Sequence, residues 1–173
     1  MKEASYRRLL QLLSQPTAPF REVQVADLAS NWLSAWGVPH FADPWGNLVI
    51  GAAGRKDYQQ RLAKSSSEPI RLFIAHMDHP GFHGERWLDD QHLQIRWYGG
   101  APVKHLRGAR VWLSAGSGYA GEGTLGQVQL NATGRTILRA VVGFPNSDVH
   151  RAHKRARTLY GGFGFRAPVW RVG

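Results

Sequence analysis

The chain contains no cysteine, which excludes a disulfide framework and any thiolate-held ion, so a metal would have to rest on histidine and carboxylates. It has no long apolar segment. The start, Met1-Lys2-Glu3-Ala4-Ser5-Tyr6-Arg7-Arg8, is charged and passes into an amphipathic pattern; this supports neither secretion nor a membrane span and makes a cytoplasmic setting the expectation. Acidic residues are scarce, 12 against 22 Lys and Arg for a net charge of +10, and beyond Asp90 only Glu122 and Asp148 remain. A reaction needing several carboxylates finds few of them in the second half. The glycine-rich stretch 114–126 lacks both the GxxxxGK(S/T) sequence and a strand–loop–helix context, so it reads as turns and not as a phosphate cradle.

With 173 residues, 43% of them hydrophobic, the chain can build a core as one ordinary domain or two small ones. Its most informative stretch is 70–84. Leu72, Phe73, Ile74 and Ala75 form a short continuous apolar run, the pattern of a strand buried on both faces. His76 and Asp78 follow where that strand should emerge. Residues two apart in extended chain share a face, so both can look into one site while Met77 turns back towards packing. An imidazole beside a carboxylate suits a zinc-type ion, with His76 as ligand and Asp78 holding its tautomer and orientation. A histidine near a strand end is also commonly a hydrogen-bonded structural residue, and the triplet leaves both readings open. The turn His79-Pro80-Gly81-Phe82 places the cluster at the carboxyl end of the strand, where open α/β sheets put their sites.

Elsewhere, Tyr6, Leu9, Leu10 and Leu13 recur at helical spacing up to a stop at Pro16. A second helix after Pro19 carries Val25, Leu28, Ala29, Trp32 and Trp36 on one stripe, with Gly37 just past its end. The two tryptophans, one turn apart, read as core. Residues 41–50 predict a hairpin turning at Pro44-Trp45-Gly46-Asn47. Residues 51–69 read as an exposed loop with one helical turn at 58–62. After Gly84 the pattern becomes β: a hairpin around Asp89-Asp90-Gln91-His92, then strands at 111–113, 128–130 and 137–142, spaced as in a small barrel.

Ala75-His76-Met77-Asp78-His79-Pro80-Gly81-Phe82 resembles the first metal-ligand motif of the dinuclear zinc aminopeptidases of the glutamyl and deblocking type, a family related to cellulase-like endoglucanase descriptions. Leu12-Leu13-Ser14-Gln15-Pro16-Thr17-Ala18-Pro19 with Glu22 resembles that family's entry to the second helix. Asp43-Pro44-Trp45-Gly46-Asn47 resembles its Asp-x-x-Gly-Asn hairpin, and Leu106-Arg107-Gly108-Ala109-Arg110-Val111 resembles the strand entry of its inserted β domain. The resemblance implies an α/β fold, with a partial zinc-aminopeptidase-like catalytic domain over 1–84, an inserted small β-barrel domain over 85–165 that serves subunit assembly, and a return strand over 166–173. It implies zinc or cobalt as cofactor, His76 as a metal ligand, Asp78 as its orienting carboxylate, a peptide substrate and a homo-oligomer. The family's bridging Asp, Glu-Glu pair, further acidic ligand and distant His have no matching positions here, so the expectation is an incomplete site, inactive in this chain alone, unless His79, His83, His150 and His153 improvise one.

The basic run His150-Arg151-Ala152-His153-Lys154-Arg155-Ala156-Arg157, followed by Tyr160 and Phe163, supports an alternative: a non-catalytic assembly or binding module that contacts nucleic acid or an acidic partner. No nucleic-acid-binding motif accompanies the run, and a solvated basic loop is the plainer reading.

Overall fold

The computed structural model describes residues 3–64, 69–101, 103–116 and 118–164. Local pattern sets the front part. Helix α1 (Glu3–Leu13) and helix α2 (Val23–Ala35) follow the two apolar stripes, and α2 ends with Gly37 at φ +65, a backbone conformation that a side chain would resist. Strands β1 (His40–Ala42) and β2 (Leu48–Ile50) form the expected hairpin. Its turn is held by Asp43, whose carboxylate accepts from the backbone N–H groups of Trp45 and Asn47 and from the Asn47 amide at 2.8–2.9 Å. These bonds, that of the Asn47 side chain foremost, keep Asp43 below the usual carboxylate range.

Helix α3 (Arg55–Ala63) is longer than the single turn expected. It buries no residue and rests on local pairing, Asp57 accepting from Arg61 at 2.8 Å and from the Ala53 N–H at 2.9 Å. An apolar-stripe criterion cannot see such a helix.

The second part is a closed six-stranded antiparallel barrel of β3 (Gly81–Trp87), β4 (His92–Tyr98), β5 (Arg110–Ala115), β6 (Gly118–Leu130), β7 (Ile137–Gly143) and β8 (Leu159–Phe163), in the order β3-β4-β7-β6-β5-β8. Alternation decides what fills it: Leu93, Ile95 and Trp97 point inward to join Phe82, Val111, Leu113, Leu125, Ile137, Val142 and Leu159, all buried. The barrel opens at Gly81, so His83 and Gly84 are barrel residues. The return strand expected over 166–173 lies outside the described residues. A short helix α4 (Asp148–Ala152) and a 3-10 turn (Ala156–Thr158) link β7 to β8.

Three expectations are corrected. The stretch 114–126 is not a set of turns; most of it belongs to β5 and β6. Two of its glycines relieve crowding: a Cβ at Gly123 would come within 2.4 Å of Val142 Cγ1 and one at Gly121 within 2.8 Å of Val149 Cγ2, a requirement that resembles a turn signal in the sequence. Trp36 is not core. It is 52% exposed, stacked on Trp32 at 6.2 Å, with the Arg8 guanidinium 5.0 Å over its ring. Nor are Leu72, Phe73, Ile74 and Ala75 a buried strand. Residues 69–79 run without strand pairing, and Leu72, Phe73 and Ile74 are 69, 92 and 86% exposed. An apolar run signals a tendency to be buried, but a strand also needs neighbours, and no described strand lies alongside this one. Among the described residues the expected α/β part is therefore represented by the β1–β2 hairpin and the helices.

A strap of residues 17–19 fastens the front part to the barrel. Thr17 and Ala18 are buried, Ala18 packing over Gly81, and Thr17 Oγ1 donates to the Met77 carbonyl at 3.2 Å. Gln24 Nε2 donates to the Gly116 carbonyl at 3.2 Å.

Candidate functional site

The segment carrying His76 and Asp78 touches the strap at the Met77 carbonyl and enters β3. Within it the two side chains meet: His76 Nδ1 lies 2.9 Å from the Asp78 carbonyl oxygen and 3.3 Å from Asp78 Oδ1. A carbonyl only accepts, so Nδ1 carries the hydrogen, and in the neutral ring Nε2 keeps its lone pair. His76 is 81% exposed and Asp78 30%. The pair leaves one imidazole nitrogen facing outward, with the Asp78 carboxylate and carbonyl at the other. The donor set stops there: among the described residues no three of His, Asp and Glu gather as an ion would need.

Two of the other candidate histidines have partners elsewhere. His83 donates from Nε2 to the Pro19 carbonyl at 2.7 Å. His150 packs on Trp87 at 4.8 Å between centroids, and its Nδ1 is 2.8 Å from Asp90 Oδ1, but out of line, so that the pair has proximity without a hydrogen bond. Glu122 pairs with Arg110, and Asp148 with Arg151. The improvised site does not form. Tyr160 and Phe163 are also corrected as base-stacking candidates. Tyr160 is buried in β8 with its hydroxyl on the Gly116 carbonyl at 2.9 Å, and Phe163 packs on Trp97 at 4.7 Å.

A second concave surface escaped the sequence reading. On the outer wall of the barrel a hollow of about 670 Å³ is lined by His83, Glu85, Arg86, Gln94, Arg96, Tyr98, Arg139 and Arg157. A β-bulge between Gly84 and Arg86 brings Glu85 and Arg86 together onto this wall. The signal available was the outward alternation Gln94, Arg96, Tyr98 in β4; the closure that adds β7 and Arg157 was not in any local pattern.

His83 is half-buried at one end of this hollow, and burial pushes its pKa below the usual histidine value, with Arg21 adding to the shift and the Pro19 hydrogen bond opposing it. The unfolded chain therefore binds this proton more readily than the folded one. Stability should fall as pH drops through about 6.5 and level off below the depressed folded value. Urea midpoints at pH 7.5 and 5.5 should differ less in His83→Gln, whose amide can still donate to Pro19, than in the parent. Equal losses in both would remove His83 as the cause.

No protein-family model and no curated protein matches the sequence. The fold does match solved structures. It superposes on PhTET1-12s, solved as a dodecamer in the asymmetric unit, with TM-score 0.66 and 18% identity over 99% of this chain and 48% of that one. A TET aminopeptidase from the marine sediment archaeon Thaumarchaeota archaeon SCGC AB-539-E09 gives TM-score 0.62 and 16% identity, over 93% of this chain and 45% of that one. The fold is that of part of a TET aminopeptidase chain. This chain spans about half the length of those it matches. Among the described residues no helix is long and apolar enough to cross a membrane.

Proposed function

We propose that this chain contributes the front portion and the inserted barrel of a metal-dependent aminopeptidase-like hydrolase of peptides, of the dinuclear zinc type that includes the glutamyl and deblocking enzymes. The observation that carries the reading is the His76–Asp78 pair, its imidazole presenting Nε2 while Asp78 holds Nδ1, on a fold that follows about half of a TET aminopeptidase chain. His76 would be a ligand to zinc or cobalt and Asp78 its positioning carboxylate. A bound ion would supply Lewis-acid polarisation and an activated water. The remaining ligands and the general base have no counterparts among the residues described, so no catalytic step is assigned to this chain alone. A cytoplasmic homo-oligomer fits the same reading, as does an assembly module that retains only the fold.

The test is calorimetric titration of chelator-treated protein with zinc and with cobalt, alongside an assay for release of amino acids from peptide amides. We expect loose binding of at most one ion and no metal-dependent turnover. His76→Ala should abolish most of that binding, and Asp78→Asn should weaken it by roughly tenfold or more. Tight binding of two ions with turnover would sink the proposal that the site is incomplete here.

A further inference from the structure

The hollow on the barrel wall is crowded with guanidinium groups that the aminopeptidase reading does not use. Arg139 is paired with Glu85 at 2.8 Å, and Gln94 ties the region together, accepting from Arg86 at 2.7 Å and donating to Glu85 at 3.1 Å. One carboxylate thus faces four arginines. Arg86, Arg96 and Arg157 take no carboxylate partner among the described residues. Like charges held around one hollow repel, and an anion seated between them would relieve that repulsion. All the cations are arginine, whose planar fork matches phosphate oxygens in pairs and stacks on rings.

One end of the hollow is aromatic. Tyr98 and His83 lie 4.9 Å apart between ring centroids, and Arg96 sits 5.8 Å from the Tyr98 ring centroid. Phe20 meets Tyr98 edge-on at 5.7 Å and His83 at 6.5 Å, yet remains 75% exposed. Its backbone is unusual: φ is +68, a left-handed conformation that a bulky side chain resists, held by the Phe20 N–H donating to Glu22 Oε1 at 2.7 Å. Burial does not explain that conformation. It leaves the Phe20 ring exposed against Tyr98 and His83, two residues that line the hollow.

We infer that this hollow binds a nucleotide, its phosphates on Arg96 and Arg157 and its base against the Phe20–Tyr98 end. The hollow is shallow and open to solvent, so charge and stacking, not enclosure, would hold the ligand. An extended peptide is a poorer occupant, because β3 and β4 sit inside a closed barrel and offer no free edge for backbone pairing.

The test is calorimetric titration of the full chain with ATP, tripolyphosphate, adenosine and an eight-nucleotide oligothymidylate. ATP should bind saturably at one site. Arg96→Gln and Arg157→Gln, both at exposed positions, should each weaken it roughly tenfold, and Phe20→Ala should weaken ATP several-fold while leaving tripolyphosphate unchanged. His76→Ala should leave ATP binding intact, which separates this site from the metal-ligand pair. Thermal unfolding of each variant checks that the barrel persists. The inference is overturned by any of four results: no saturable ATP binding at millimolar concentration, unchanged affinity in the Arg96→Gln/Arg157→Gln double variant, tripolyphosphate matching ATP with Phe20→Ala silent, or oligothymidylate binding far more tightly than ATP.

Discussion

Replacing Gly161 with alanine should destabilise the barrel by about 3 kcal/mol, the upper part of the usual range for overpacking a core. Gly161 lies in β8, in register with Phe82 of β3 on one side and Leu113 of β5 on the other. A Cβ there would fall 2.0 Å from the Trp112 carbonyl oxygen and 2.7 Å from Phe82 Cζ. The carbonyl belongs to a strand and cannot rotate away, and Phe82 is fully buried. Either β8 moves off β5, losing ladder hydrogen bonds, or Phe82 leaves its place in the core. Gly134 is the control. Its φ is +68 but nothing lies within 4 Å of the position a Cβ would take, so Gly134→Ala carries only the left-handed backbone penalty, about 1 kcal/mol. Urea unfolding followed by circular dichroism should separate the two variants clearly. Indistinguishable midpoints would mean that β8 can shift without cost and that the β3–β8–β5 closure is looser than its geometry.

What could be read beforehand divides along the range of the determining contacts. Helices α1 and α2, the β1–β2 hairpin and the β3–β4 hairpin are each set by residues a few positions apart, and local spacing exposes them. The proximity of His76 and Asp78 was legible for the same reason, since two residues of separation suffice to bring them together. Gly123 of β6 was misleading because the property that requires it, close approach of Val142, comes from another strand. Arg157 stood in a basic run read either as solvated or as a nucleic-acid contact, whereas the 3-10 turn at Ala156–Thr158 packs against β3 and sets it in the hollow, to which β4 and β7 add Arg96 and Arg139. No window along the chain contains that juxtaposition. The run at 72–75 failed differently: its burial tendency was read correctly as chemistry, but the strands that would satisfy it are not among those described.

That exposed run carries the remaining large expectation, association of the chain through residues 70–74. Ile70, Leu72, Phe73 and Ile74 are 58, 69, 92 and 86% exposed on backbone that joins no ladder among the described residues, a combination that invites pairing with another copy. Burying each such side chain contributes about 2 kcal/mol. Two copies facing one another through four residues each therefore gain on the order of 16 kcal/mol gross, against an association cost of roughly 4–15 kcal/mol. The surplus can reach the ~8 kcal/mol that corresponds to micromolar dissociation, so light scattering at tens of micromolar should find dimers or larger species. Phe73→Lys with Ile74→Lys removes half of the gross gain and places like charges in the contact, which should return the chain to a monomer without touching the barrel core. A parent protein that is monomeric at that concentration would show that the run is covered within its own chain. A double variant that stays associated would move the contact to another surface, with the Trp36 face of α2 the next to test.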